Sequence, residues 1–506
     1  MFENVRKRFP YLLPLIIVLI FIKGLTLWAT MHAGFGLMPD EAQYWTWSKM
    51  PAYGYYSKPP GIAWEIGFGT LIFGDTEFGV RFGALLLSFL LAIAIYLLAR
   101  SGGLEGRYAF WSSIAFSVTP VGVLSTCLAT TDCGFGLFWT LAASLFVRRL
   151  LEDKPHAFIK IGVLIGLGAL FKWTIYLLWL PILIFALWQR KLRLRFIIGF
   201  LISLIGLTPS LVWNMQHDFA TFKHVLRAVT PPEGGFSFQY ALNFLGAQFA
   251  LLSPLLFLLV IFATVGLAKM LKRLPLSIAF YWWTSVMTFV AVLILSCIKK
   301  VQGNWAVMSY FTLFPMLFAY AAMQKEAFLR WIQGALLLSI ALLTFIFFHA
   351  HEVPYKMNPW KEGLGWKRLE KGLLQTGYDP AKHFLFGDRY QTASILSFYG
   401  PEKKRAYFFN LQGLRKNQFS YWKQMADREL GRTGFYVTII DGPNALDRAI
   451  DVQKRMCEQL APYFDEVDAP LVIIPLYETN HKVTKVAVVV RADGYNGTMP
   501  PDPGKF

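Results

Sequence analysis

The chain has 506 residues, of which 55% are hydrophobic and only 16% charged, with a mean hydropathy of +0.44 and a net charge of +18. Soluble domains carry about a quarter of their residues as charges, so this composition excludes an ordinary soluble enzyme and puts the chain in a bilayer. The positive balance does not indicate nucleic acid: it sits in short loops between apolar blocks, at Arg6-Lys7-Arg8, Arg148-Arg149, Arg190 to Arg195 and Lys269 to Arg273, with no basic helix or aromatic RNA-binding motif beside it.

Runs long enough to cross the hydrocarbon layer as helices predict about eleven spans. They fall near 11–31, 79–99, 108–124, 126–147, 158–171, 173–188, 196–213, 244–268, 277–298, 304–323 and 331–350. The first block, Tyr11 to Thr30, lacks a small-residue cleavage signature and reads as a retained span. Lys172 interrupts the 158–188 region. Starting from a cytoplasmic N-terminus, alternation puts every basic cluster on the cytoplasmic face, the positive-inside pattern. An odd count sends the C-terminal tail to the other face.

Three loops then lie outside. The first, His32 to Glu77, holds five acidic and two basic residues, a lysine- and arginine-poor balance suited to that side. The second runs from Trp213 to about Tyr240 and contains "WNMQHDFATFKH"; the third, "KKVQGNW", spans Lys299 to Trp305. From His351 to Phe506 the chain turns polar. There "HFLFGD", "GFYVTII", "LVIIPLY" and "KVAVVV" read as buried strands, while Tyr390–Tyr399 and Ala445–Leu460 carry helical spacing. This predicts a small α/β domain of about 150 residues. Of four cysteines (Cys127, Cys133, Cys297, Cys457) only the last lies in this tail, so no disulfide forms within it.

The chemistry-bearing residues gather in the outer loops. Asp40-Glu41 follows the first span and reads either as a helix opening, with Asp40 as N-cap of Glu41–Lys49, or as a general base at the membrane surface. Lys58 precedes two prolines that hold it extended; its ammonium suits phosphate or snorkels to the headgroups. Arg81, at the start of the second span, has the same two readings. Tyr55 and Tyr56 offer faces for a sugar ring or belong to the interfacial aromatic belt. Asp132 lies near membrane depth, where ionisable groups are costly and usually functional. His217 and His224, seven apart, have no third metal ligand in view. P-loop, dinucleotide fingerprint and nucleophile elbow are all missing, which argues against a nucleotide-sugar fold.

An acidic pair after the first span, then "YYSKPPGIAW", "TDCGFGLFW", "WNMQHDFATFKH" and "GNW" before a late span resemble, in that order, the bacterial members of glycosyltransferase family 39. These belong to the GT-C superfamily, related to protein O-mannosyltransferases and to the aminoarabinose transferase acting on lipid A. The resemblance covers about residues 1–350. It implies a polytopic α-helical membrane protein with an outer-loop active site (1–350) and a soluble α/β extracytoplasmic domain (351–506). It also implies an inverting transferase of the bacterial inner membrane. Such an enzyme moves a sugar from a polyprenyl-phosphate carrier to lipid A, another glycolipid or a protein, and requires no cofactor, with a divalent cation left open. By the same resemblance Asp40 and Glu41 are catalytic, Lys58 and Arg81 hold the donor phosphate, and Tyr55, Tyr56, Asp132, Asn304 and Trp305 line the cavity. Relatives often carry an acidic residue and a proline around the Asn-Trp pair, and this chain reads "VQGNW" there. A transporter or flippase of lipid-linked sugars is the alternative from another class, disfavoured because the charges cluster at one face and not at mid-bilayer.

Overall fold

The computed structural model describes residues 9–151, 157–189, 194–230, 235–349, 352–355, 358–468, 470 and 472–505. Among these, seven helices are long and apolar enough to cross a membrane: Leu12–His32, Glu77–Ser101, Thr131–Leu150, Leu194–Gln216, Leu276–Ile298, Gly303–Met323 and Glu326–Phe348. The count reaches nine if each of two bent pairs is one span. These answer nine of the eleven expected spans; the other two, 158–171 and 173–188, appear as shorter apolar helices, and the breaks have local reasons. Between Gly106–Val118 and Pro120–Cys127 the chain turns by 63°. Thr119 is extended there, and Pro120 cannot donate the next helical hydrogen bond. Between Phe238–Leu252 and Pro254–Lys269 the turn is 104°, made at Ser253 with φ +69° directly before Pro254. Ala157–Ala169, at 13 residues, is too short to cross by itself, as is Trp173–Trp188. The basic cluster Arg6-Lys7-Arg8 and residues 190–193 of the cluster at Arg190 to Arg195 lie outside the described residues.

The expected first outer loop is largely helical. Pro39–Ser48 and the apolar Gly61–Phe73 lie within it, joined by a turn that Tyr55 clamps. Its hydroxyl donates to the Trp47 carbonyl at 3.0 Å and accepts from the Ala52 N–H at 3.1 Å, with the ring stacked on Trp47.

The C-terminal domain is a six-stranded sheet: β1 (Phe384–Gly387), β2 (Tyr407–Phe408), β3 (Gly434–Asp441), β4 (Phe464–Val467), β5 (Val472–Thr479) and β6 (Lys482–Tyr495). The order is β2-β1-β3-β6-β4, with β5 also paired to β6. β1 runs parallel to β2 and β3; the pairs made by β6 are antiparallel. Helices Tyr390–Tyr399 and Ala445–Leu460 appear where their spacing placed them.

One apolar cluster joins the two parts, with Leu37, Trp45, Trp47 and Ile62 packed together with Leu396, Phe398, Phe435 and Val437. Phe398 meets Trp45 edge-on at 5.0 Å, and Phe35 stacks on Trp360 at 4.6 Å. The Tyr399 hydroxyl accepts from the Leu37 N–H at 2.6 Å and donates to Glu77 at 2.6 Å. Tyr56 N–H donates to Gln418 Oε1 at 2.7 Å. The polar domain is thus fastened to the loop that carries the acidic pair.

Candidate active site

Between the Pro39–Ser48 helix, the start of Thr131–Leu151 and the Gln302–Trp305 turn lies a cavity of about 290 Å³. Asp40, Lys58, Asp132, Asn304 and Trp305 all line it, together with Tyr44, Lys172 and Glu362. The helix begins at Pro39, so Asp40 is its second residue and not the N-cap. The cap is made by Glu41, whose Oε2 accepts from the Met38 N–H at 2.9 Å. This leaves the Asp40 side chain free for the cavity. Its carboxyl is exposed to that space although it lies inside the protein. Burial pushes its proton affinity above the usual carboxylate range, while Lys58 and Arg415 pull it back.

A pair of prolines brings Lys58 to the same space. Pro59 biases Lys58 toward an extended backbone, Pro60 already has helical dihedrals as the N-cap of Gly61–Phe73, and the Gly61 N–H donates to the Leu170 carbonyl at 2.7 Å. A Cβ on Gly61 would press on that carbonyl and on the Phe171 ring, so the approach needs glycine. The same contact fixes the turn that ends Ala157–Ala169 and presents Lys172. The Lys58 carbonyl accepts from the Tyr55 N–H at 3.0 Å, but its ammonium forms neither a hydrogen bond nor an ion pair among the described residues. Burial pushes its ammonium below its usual range, Lys172 adds to that, and Asp132 and Asp40 oppose it.

Asp132 is the hub. Its Oδ1 accepts from Lys172 Nζ at 2.8 Å and its Oδ2 from Asn304 Nδ2 at 2.9 Å. Lys172, which in the sequence stands out only as an interruption, is therefore a second cation in the cavity. The signal was available: a lone lysine between Phe171 and Trp173 in an apolar run is costly unless it is used.

Glu41 also lines the cavity, whereas Arg81, Tyr55 and Tyr56 do not. Arg81 is buried. It grips Glu41 with Nε to Oε1 at 2.9 Å and Nη2 to Oε2 at 2.7 Å, and donates to the carbonyls of Phe35 and Gly36 at 2.9 and 2.7 Å. It has no guanidinium edge left to hold a donor phosphate. Glu41 also accepts from the Ala129 N–H at 2.9 Å, so it ties three segments together and is poorly placed to take a proton. Tyr55 is wholly buried in its clamp on Trp47. Tyr56 is buried outside the cavity lining, its ring 4.9 Å from His224 and 5.7 Å from the Arg415 guanidinium. His217 instead stacks on Trp213 at 4.1 Å, so the two histidines serve different aromatic contacts. Burial pushes His224 down to about 4, with Arg415 adding to the effect. Among the described residues no three His, Cys, Asp or Glu side chains come together as a metal cluster. Both Asp132 oxygens already accept a hydrogen bond, so a cation shared with Asp40 would compete with Lys172 and Asn304 for that carboxylate.

Lys299, the first of two lysines in the third loop, donates to the carbonyls of Arg227 and Thr230 at 3.0 and 3.1 Å. It closes the C-terminal end of helix Ala220–Val229.

Residues 57–213 match the Dolichyl-phosphate-mannose-protein mannosyltransferase family. The lipid A galacturonosyltransferase RgtD of Rhizobium johnstonii is 26% identical over 303 residues, covering 58% of this chain and 63% of that one. The undecaprenyl phosphate-alpha-4-amino-4-deoxy-L-arabinose arabinosyl transferase 1 of Pseudomonas fluorescens is 30% identical over 199 residues, 35% of this chain and 36% of that one. The chain thus spans less than two thirds of the length of either relative. Crystal structures of ArnT from Cupriavidus metallidurans superpose over nearly the whole chain at 13% identity. The apo form gives a TM-score of 0.62, covering 95% of this chain and 97% of that one. The form bound to undecaprenyl phosphate gives 0.63, covering 95% and 98%.

The chain shares the fold of ArnT. That likeness extends through the C-terminal α/β domain as well, beyond the 350 residues that the outer-loop motifs covered.

Proposed function

We propose that the protein is an inverting glycosyltransferase that moves a sugar from a polyprenyl-phosphate carrier to an envelope glycolipid of the lipid A type. One observation carries the reading: a carboxylate, Asp40, and an ammonium, Lys58, each unpaired among the described residues, line one cavity in which Asp132 holds a second ammonium, Lys172. The names of the relatives, lipid A and undecaprenyl-phosphate sugar transferases, support the choice of donor and acceptor.

The acceptor hydroxyl attacks the anomeric carbon from the face opposite the lipid phosphate. Asp40 takes its proton as the new C–O bond forms. The bond from the anomeric carbon to the phosphate oxygen breaks, and its electron pair leaves with the polyprenyl phosphate. Lys58 and Lys172 neutralise the charge that grows on that phosphate. A single displacement inverts the centre. A phosphate acceptor arrives already ionised, and Asp40 then orients it instead. The scheme calls for no cofactor, since the two lysines supply the positive charge that a metal would.

We place the protein in the bacterial inner membrane, with the N-terminus cytoplasmic and the cavity and C-terminal domain on the periplasmic side. The basic loops support that orientation. Mass spectrometry of envelope lipids from cells with and without the gene tests the function. A glycolipid lacking one sugar in the deletion is expected. Unchanged lipids with altered glycoproteins would redirect the acceptor to protein, and no covalent difference at all would overturn the transferase.

A further inference from the structure

The C-terminal domain carries a second cleft, of about 390 Å³, that the transfer scheme does not use. It lies where β1 and β3 end. These parallel neighbours send their chains onto opposite faces of the sheet. The Tyr390–Tyr399 helix packs on the face of Phe435 and Val437, and the Ala445–Leu460 helix on the face of Tyr436 and Val488. With strand order β2-β1-β3, this is the point at which open α/β sheets leave a crevice at their carboxyl ends.

Its lining is charged in both senses. Asp388 and Asp441 stand at the ends of the two strands, and Arg389 leads into the first helix. Arg448, Asp451 and Arg455 recur along one face of the second. Asp388 is the telling residue. It is fully buried and one oxygen accepts from Gln412; the nearby Tyr436 hydroxyl is directed to Met456 Sδ at 3.0 Å, which leaves Oδ1 without a hydrogen bond of normal geometry among the described residues. A buried carboxylate oxygen left open in this way is costly unless a donor arrives from the cleft. The three arginines, whose guanidinium forks suit phosphate, line its open side.

We propose that this cleft binds a phosphorylated saccharide, with a sugar hydroxyl donating to Asp388 and the phosphate held by the arginines, and that it receives the part of the acceptor head group remote from the transfer point. The assignment rests on the transferase reading. It is favoured by short chain connections between the two cavities: Arg389 and Gln412 line the cleft, while Tyr390, next in the chain to the first, and Arg415, three residues beyond the second, both lie within electrostatic range of Asp40.

The test uses the full chain in phosphatidylcholine nanodiscs and calorimetric titration with a deacylated, doubly phosphorylated glucosamine disaccharide, with inorganic phosphate run separately. The disaccharide is expected to bind. Arg455→Gln, an exposed change that leaves the fold intact, should weaken it about tenfold or more. Asp388→Asn should do the same, Lys482→Gln, an exposed basic residue outside the cleft lining, should leave binding unchanged, and inorganic phosphate should bind far more weakly. Disaccharide binding that ignores Arg455→Gln, or falls equally with Lys482→Gln, overturns the proposal. So does inorganic phosphate matching the disaccharide. Because the readout is binding, a protein that transfers no sugar still reports on the cleft.

Discussion

Arg81 and Glu41, forty residues apart in sequence, form a buried two-pronged ion pair at 2.7 and 2.9 Å. The pair holds the start of the Glu77–Ser101 helix against the loop that carries Asp40. Removing one partner strands the other charge in the interior, at a cost of roughly 3–5 kcal/mol. Arg81→Met should therefore lower the thermal unfolding temperature in detergent sharply, and Glu41→Leu on top of it should recover part of the loss. Protein that remains folded should bind lipid-linked donor as the wild type does. A specific loss of donor binding with unchanged unfolding would return Arg81 to the phosphate site.

The Asp40–Lys58 arrangement fixes a pH profile. Asp40 works as a base only when deprotonated, and burial raises its carboxyl above the usual range, so kcat/KM should fall on the acid side earlier than for an exposed aspartate. Lys58 works only when charged, and burial lowers it, so the alkaline fall should also come early. The expected curve is a bell narrowed from both sides. Lys58→Arg should push the alkaline limb outward, since a guanidinium does not deprotonate in that range, and Asp40→Asn should cost about 10²–10⁴ in rate with a hydroxyl acceptor. Limbs at ordinary aspartate and lysine positions would refute the burial argument.

Much of this was readable in the sequence, and the parts that were not have a physical reason. The two C-terminal helices and the four predicted strands appear because local periodicity reports which face is buried. The two-residue β2 and the short β4 were missed because a strand of that length carries no alternation to read. Hydropathy marks apolar length but does not see where a run breaks, so the turns before Pro120 and Pro254 passed as continuous spans. Asp40, Lys58 and Asp132 could be singled out, but not the division of labour between Asp40 and Glu41. That depends on Arg81 and Ala129, contacts whose sequence separation no local pattern reports.

In the proposed transfer Asp132 acts on the phosphate through Lys172, to which it is hydrogen-bonded, and its variants should be non-additive. Lys172→Met removes a cation from the cavity and should lower kcat by about 10²-fold, the scale for losing one charge-stabilising donor. Asp132→Asn frees the same cation to wander and should cost somewhat less. The double variant should be no worse than Lys172→Met alone. Costs that simply multiply would mean that the carboxylate touches substrate independently.

Metal dependence follows from the same hub. With both Asp132 oxygens occupied by Lys172 and Asn304, the transfer step should proceed unchanged after exhaustive chelation, and added Mg²⁺ or Mn²⁺ should not raise it. A rate that collapses on chelation and returns with one cation would show that Lys172 yields its place during turnover.

Tyr399 is the polar latch between the C-terminal domain and the catalytic loop, since its hydroxyl both receives the Leu37 N–H and serves Glu77. Tyr399→Phe leaves the ring in the shared apolar cluster and removes only the oxygen. The Leu37 N–H is then buried without an acceptor, at a cost of about 1–3 kcal/mol. Hydrogen exchange should quicken at residues 35–38 while the transmembrane helices stay protected. Because Pro39 and Asp40 come directly after, the loosened loop should hold the base less firmly and lower kcat more than donor affinity. Exchange that is unchanged at residues 35–38 would show that the apolar cluster alone holds the domain in place.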